Sequence, residues 1–222
     1  MRLLLFTIIF IFSTALAGES LITIGGPSLI NSEKYRYKKD RHDYYWGNFV
    51  DAAKLQTKVL RSKKASQNVT WLVYKPSYEM RGKEAGIDFV SKIASSARSL
   101  KVTLIWFDNK YQFSSAFNAF PSRGIDTFDY FGHSDQHAFL FDYSTTVMMG
   151  SSCWFHTSDF KLLSSNRIKP DTKSTSWGCY TAKKMSYSWN THFNNKLIGA
   201  YGKTNYVKIS QGKLPFCNDG WN

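Results

Sequence analysis

Four short apolar runs, each closed by a turn or a helical stretch, constrain this chain most. They are "LITI" (21–24), "NVTWLVY" (68–74), "KVTLIWFD" (101–108) and a run over about 126–132 in "IDTFDYFGHS". Runs of this length, rich in β-branched and aromatic residues, suit strands. The segments between them carry apolar residues at helical spacing. Phe49, Ala52, Ala53, Val59 and Leu60 mark a helix over about 48–62; Ile87, Val90, Ile93, Ala94, Ala97 and Leu100 mark another over about 84–99. Phe113, Phe117 and Phe120 place a short helix after the third strand, with its apolar face in the core. Thr157 or Ser158 can cap a helix carrying Phe160, Leu162 and Leu163. Strands alternating with helices of this size predict an α/β layer protein built on a mostly parallel sheet.

The chain opens with a processing signal. Arg2 gives a positive start, Leu3 to Phe12 is almost continuously apolar, and Ala15-Leu16-Ala17 fits the small-x-small cleavage rule. That run is too short to span a bilayer, and no other stretch approaches the needed length. Residues 1–17 therefore read as a signal peptide and 18–222 as a single exported domain, secreted or periplasmic. Net charge falls from +13 to about +12 once Arg2 is removed. An excess of this size implies attraction to an acidic surface or polyanion, with no specific nucleic-acid motif, or a solvated basic surface.

In such sheets, active sites collect at the carboxyl ends of the strands. Two chemically complementary side chains sit there. His133 follows the fourth strand. Cys179 follows a strand expected over about 174–178, with a helix bearing Ala182, Met185, Trp189 and Phe193 expected straight after it. A Cys–His pair can cleave an amide by thiolate attack, the imidazolium protonating the leaving group. The backbone N–H groups of Ser134 and Cys179 are candidate oxyanion donors, and a helix starting at Cys179 would favour its thiolate through the dipole. "KLIGAYGKTNYVKI" supplies a last strand and its exit loop. Its Gly202-Lys203-Thr204 lacks the earlier glycine of a phosphate loop, and the remaining histidines show no metal spacing. Neither a cofactor nor a metal is expected.

The order "KVTLIWFD", short helix, "IDTFDYFGHS", then "STSWGCYT" resembles the caspase-like clan of cysteine peptidases (the caspase, metacaspase, legumain and gingipain group). His133 precedes Cys179 by about 46 residues, against roughly 50 in caspases. The resemblance covers about residues 20–206 and is specific only in the second half. It implies a three-layer α/β/α sandwich, Cys179 as nucleophile, His133 as proton donor, and a peptide or protein substrate. The sequence departs from the group at Ser134, where glycine is usual after the His, and around the nucleophile in "WGCYT". A catalytically inactive caspase-like domain that binds an acidic partner is the alternative. Three cysteines in an oxidising compartment give one disulfide and one thiol. With Cys179 kept free as the nucleophile, the expected bridge is Cys153–Cys217.

The resemblance also implies a specificity. Metacaspases, which favour Arg or Lys before the scissile bond, carry Asp two residues before the nucleophile, where this chain has Trp177. Phe131 stands two before His133, and Lys203 falls in the loop where caspases build part of the pocket. A cationic side chain buried without a carboxylate is costly. A panel of peptides varied at that one position should show weak or absent cleavage after Arg and Lys, with apolar, small or acidic residues preferred. Clear preference for Arg or Lys would show the pocket assignment to be wrong.

Overall fold

The computed structural model describes residues 18–34, 44–121, 124–143 and 150–222. The signal-peptide reading falls on 1–17, outside the described residues.

Six parallel strands form the central sheet, in spatial order β3-β2-β1-β4-β8-β9. They are β1 (Glu19–Ile24), β2 (Asn68–Tyr74), β3 (Thr103–Phe107), β4 (Ile125–Phe131), β8 (Ile168–Ser176) and β9 (Leu197–Ile198). Alternation sends successive side chains to opposite faces. On one face, Leu21, Leu72, Phe128 and Tyr130 meet Phe113 and Phe117 of α5 (Lys110–Asn118) and Met185, Trp189 and Phe193 of α6 (Lys184–Phe193). On the other, Ile22, Ile24, Trp71, Val73 and Phe131 meet three further helices. These are α2 (Asn48–Lys63), α3 (Lys75–Ala85) and α4 (Phe89–Ser99). A short α1 (Ile30–Lys34) follows the first strand. The result is the expected α/β/α layering, and every pairing within the six-stranded sheet is parallel.

Several boundaries differ from the sequence reading, each for a local reason. Pro76 does not end a strand; it lies in the first turn of α3, where its missing N–H costs nothing. The helix expected over 84–99 is two helices. Gly86 takes the left-handed conformation that closes α3, and the Asp88 carboxylate then caps α4 by accepting from Ser91 N. The segment 157–162 is a 3-10 turn capped by the His156 side chain, not by Thr157 or Ser158. β8 begins six residues earlier than expected, at Ile168.

A small antiparallel sheet stands at the end of β4: β5 (His133–Ser134), β6 (Ala138–Leu140) and β7 (Trp154–His156). A second ribbon joins β10 (Thr204–Asn205) to β11 (Phe216–Cys217). Its register continues to the Ala200–Trp221 bridge and to the bonds Tyr201 N to Gly220 O, 3.1 Å, and Asn222 N to Gly199 O, 3.2 Å. Among the described residues no helix is long and apolar enough to cross a membrane.

One buried acid interrupts the apolar face beneath α2. Asp129 is 1 % exposed, and burial pushes its carboxyl from 3.8 up to about 6, although hydrogen bonds from Trp177 and Gln56 pull the other way. A carboxyl raised on folding binds more protons in the native state. The stability it confers is full below about pH 3.8 and is lost as pH rises through about 6. Asp129→Asn should therefore be more stable than the wild type at pH 7, by at most about 3 kcal/mol. The gap should close below pH 4, as measured by urea unfolding across pH.

Candidate active site

β4 and β8 are neighbours in the sheet, so the residues that follow them share one corner of the carboxyl edge. β4 leads through Gly132 into His133 and Ser134. β8 leads through Trp177 and Gly178 to Cys179. The last ladder bond runs from Trp177 N to Tyr130 O, 2.9 Å. Beyond it the Ser134 hydroxyl donates to the Cys179 carbonyl at 2.7 Å. The two ends approach so closely that a Cβ at Gly178 would lie 2.1 Å from Ser134 Oγ, 2.8 Å from its Cβ and 3.2 Å from the Gly132 carbonyl. Here the chain needs glycine for lack of space, not for its backbone angles.

His133 is buried, and two aromatic rings meet it edge to face: Phe49 at 5.0 Å and Tyr143 at 4.5 Å between centroids. Beneath it the buried Tyr130 hydroxyl bonds to the carbonyls of His133, 2.6 Å, and Leu140, 3.0 Å. Burial keeps that phenol far above its ordinary range, so it stays a neutral donor. The imidazole is thus held by two aromatic contacts, and its own backbone by the Tyr130 hydroxyl.

Cys179 is half-buried. Its sulfur lies against Thr204, accepting from Thr204 N at 3.3 Å and sharing a hydrogen bond with Thr204 Oγ1 at 3.4 Å. Among the described residues these are its hydrogen-bond partners, and the imidazole of His133 is not one of them. The helix expected straight after Cys179 begins five residues later, at Lys184. Tyr180 takes a left-handed φ of 60°, and the bonds Tyr180 N to Gly202 O, 2.9 Å, and Ala182 N to Ala200 O, 3.1 Å, tie the turn to the β9–β10 loop. These tertiary bonds defeat the local helical pattern. The thiol therefore does not sit at the N-terminus of α6, and Ala182 is buried in the turn, not on the helix.

The expected oxyanion donors, the amides of Ser134 and Cys179, lie at the two touching strand ends. Among the described residues the Cys179 amide has no acceptor. The Asp135 N to Ala138 O bond fixes the alternation in the β5–β6 ladder and leaves Ser134 N pointing away from β6.

The pocket candidates fare differently. Phe131 has no exposed surface and stacks on Trp177, centroids 5.7 Å apart and planes within 5°. It can shape a pocket only by supporting Trp177. Trp177 is half-buried and its indole N–H is committed to Asp129 at 2.8 Å. Lys203 is exposed on the loop beside Thr204. A carboxylate that the sequence did not reveal, Asp219, folds over Gly202, leaving no room for a Cβ there.

All three cysteines are free thiols, so the expected Cys153–Cys217 bridge is not formed. Cys153 belongs to the β6–β7 side, its backbone N–H donating to the buried Asp142 carboxylate, and burial, with the Asp142 charge second, pushes its thiol up to about 11. Cys217 pairs with Thr204 at the other side of the site. The tail that the bridge was to hold is pinned instead by Asn222, whose side chain bonds to Gly199 N, Ala182 O, Ser186 Oγ and Leu197 O. Among the described residues no group of three or more His, Cys, Asp or Glu could hold a metal ion.

The sequence reading missed Thr204, Phe49, Tyr143 and Tyr206. Tyr206 packs edge to face on Phe49 and donates to the Trp177 carbonyl at 3.0 Å, joining the His and Cys sides. None of these carries a local motif; each reaches the site through pairing or packing.

Comparison with protein families, with curated proteins and with solved structures finds no match.

Gly178→Ala should cost about 1–3 kcal/mol, as overpacking does, and should part the two strand ends. Adding Ser134→Gly, which removes the two closest contacts, should recover part of the loss in thermal unfolding. A fully stable Gly178→Ala protein would contradict the close approach.

Proposed function

We propose that this chain is an exported cysteine peptidase of the caspase-like clan, acting outside the cytoplasm on a peptide or protein substrate. The observation that carries the reading is the contact between the two strand ends, Ser134 against Gly178 and Cys179, which brings a fixed imidazole and a half-buried thiol to one corner of a parallel sheet. Cys179 passes its thiol proton to His133 and its Sγ attacks the scissile carbonyl carbon, while the amides of Cys179 and Ser134 receive the oxyanion. The C–N bond breaks as His133 protonates the departing amine. Water, losing a proton to His133, then attacks the thioester, and the C–S bond breaks to return the thiol. For the first step the sulfur turns from Thr204 toward the substrate.

Cys179→Ala and His133→Ala should each lower hydrolysis of a peptide mixture by at least about a thousandfold without unfolding the protein. The double variant should be no worse than either, because the two act as one unit. Substantial hydrolysis by Cys179→Ala would sink the mechanism. A wild-type protein that neither cleaves peptides nor reacts at Cys179 with a thiol-directed electrophile would mark the inactive module that binds an acidic partner.

A further inference from the structure

We propose that Asp129 is a positioning residue for Cys179: its buried carboxylate, bonded to the Trp177 indole, fixes the strand end that presents the thiol. The inference rests on reading Cys179 as the reactive group, though not on what the substrate is.

Trp177 is the last firmly held residue before the thiol. Its N–H bonds to Tyr130 O, its carbonyl accepts from Tyr206, its ring lies flat on Phe131, and Trp221 meets it at 5.3 Å and 71°. The stacking sets the plane of the ring, and the 2.8 Å hydrogen bond from Nε1 to Asp129 Oδ1 fixes which way its polar edge points. Gly178, without a side chain, is held by weaker bonds, its N–H donating to Ser176 Oγ and its carbonyl accepting from Thr181 Oγ1, both at 3.4 Å, and regular structure resumes only at Lys184.

Asp129 belongs to β4, the strand that runs on to His133. Its bond to Trp177 therefore ties the His strand to the Cys strand two residues before the thiol, as Ser134 ties them at the thiol itself. Gln56 of α2 steadies the carboxylate by donating Nε2 to Oδ2 at 2.8 Å. An apolar residue could fill this place in the layer beside Phe131. Only an acceptor can hold the indole N–H, and an ionised one holds it most strongly.

A cleft of about 540 Å³ opens over Asp129. The charged groups facing it there are Lys63 of α2 and Lys64 just after it, Asp126 of β4, and Asp171 and Lys173 of β8. Signs are nearly balanced, so burial and the two hydrogen bonds dominate the charge state. With the carboxyl raised to about 6, mild acid protonates it. Gln56 Oε1, buried with no partner among the described residues, can then accept the new O–H once the amide turns over. That exchange stabilises the neutral acid while weakening its hold on Trp177.

The test uses the full mature chain and two readouts, neither requiring hydrolysis. The first is the fluorescence contribution of Trp177, taken as wild type minus Trp177→Phe. It should titrate with a midpoint near pH 6 and lose that transition in Asp129→Asn, although the variant is folded. The second is alkylation of Cys179 by iodoacetamide at pH 7.5, followed by peptide mass mapping with Cys217 as the internal reference. Trp177→Phe and Asp129→Leu should change the Cys179 rate by about tenfold, the scale expected when a reacting atom is displaced, and Asp129→Asn by less. A pH-6 transition that persists in Asp129→Asn, or a Cys179 rate unchanged in Trp177→Phe, overturns the proposal. If Asp129→Leu does not fold, Trp177→Phe decides the second arm alone. If the tether works and no peptide is cleaved, the peptidase reading fails and this one stands.

Discussion

Burial of the sheet on both faces is the constraint from which the rest follows. Strands covered on both sides by helices return through crossovers, so they run parallel and all their carboxyl ends open on one edge. Strand order reverses at β1, with β2 and β3 on one side and β4, β8 and β9 on the other. Loops leaving β1 and β4 therefore part at this point, where open α/β sheets place their sites. Gly25 lies there, its N–H bonded to Phe131 O at 2.8 Å, so the β1 loop, the His strand and the Cys strand converge. His133 and Cys179 come to the same corner of the sheet because of topology, despite the long chain segment between them.

The elements legible in the sequence were those whose burial pattern is itself local. β2 and β3 are nearly continuous apolar runs with few competing conformations, β4 sets Ile125, Phe128, Tyr130 and Phe131 among polar residues, and α2 and α5 carry apolar residues at helical spacing. What stayed hidden depended on partners distant in sequence. Nothing near Lys184 announces a delayed helix start; the delay comes from Gly202 and Ala200 capturing the amides of Tyr180 and Ala182. The two-residue strands β10 and β11 are too short to carry a period and exist only by pairing. Pro76 is a different failure: proline ends a strand and begins a helix equally well, and only the residues after it decide.

The site divides along the same line. His133, Cys179 and the two candidate amides could be placed at strand ends because a strand end followed by a turn is a local signal. Thr204 could not, since its "GKTNY" context has no meaning until β9 brings it beside β8. The disulfide reading assumed that a tail needs a covalent tie. Asn222 supplies four side-chain hydrogen bonds instead, and the free thiol of Cys217 lies across β10 from Cys179. Thr204 pairs with Cys217 while its N–H points outward to the sulfur, so a strand separates the two thiols.

The resting position of that sulfur bears on whether the pair can act. Two hydrogen bonds to Thr204 hold it, and breaking them while water or substrate replaces them costs on the order of 1–2 kcal/mol. Such a cost leaves the turned sulfur populated at roughly the fifth-to-thirtieth level before substrate arrives. Fixing an imidazole between two rings and a carbonyl network works in the opposite direction and on a larger scale, since correct placement of reacting groups is worth several kcal/mol. His133 is the expensive partner to orient, and Phe49, Tyr143 and Tyr130 have already oriented it. The mobile half of the pair is the small one, a single rotation about the Cα–Cβ bond of Cys179, so long as the strand end carrying it stays where Trp177 holds it.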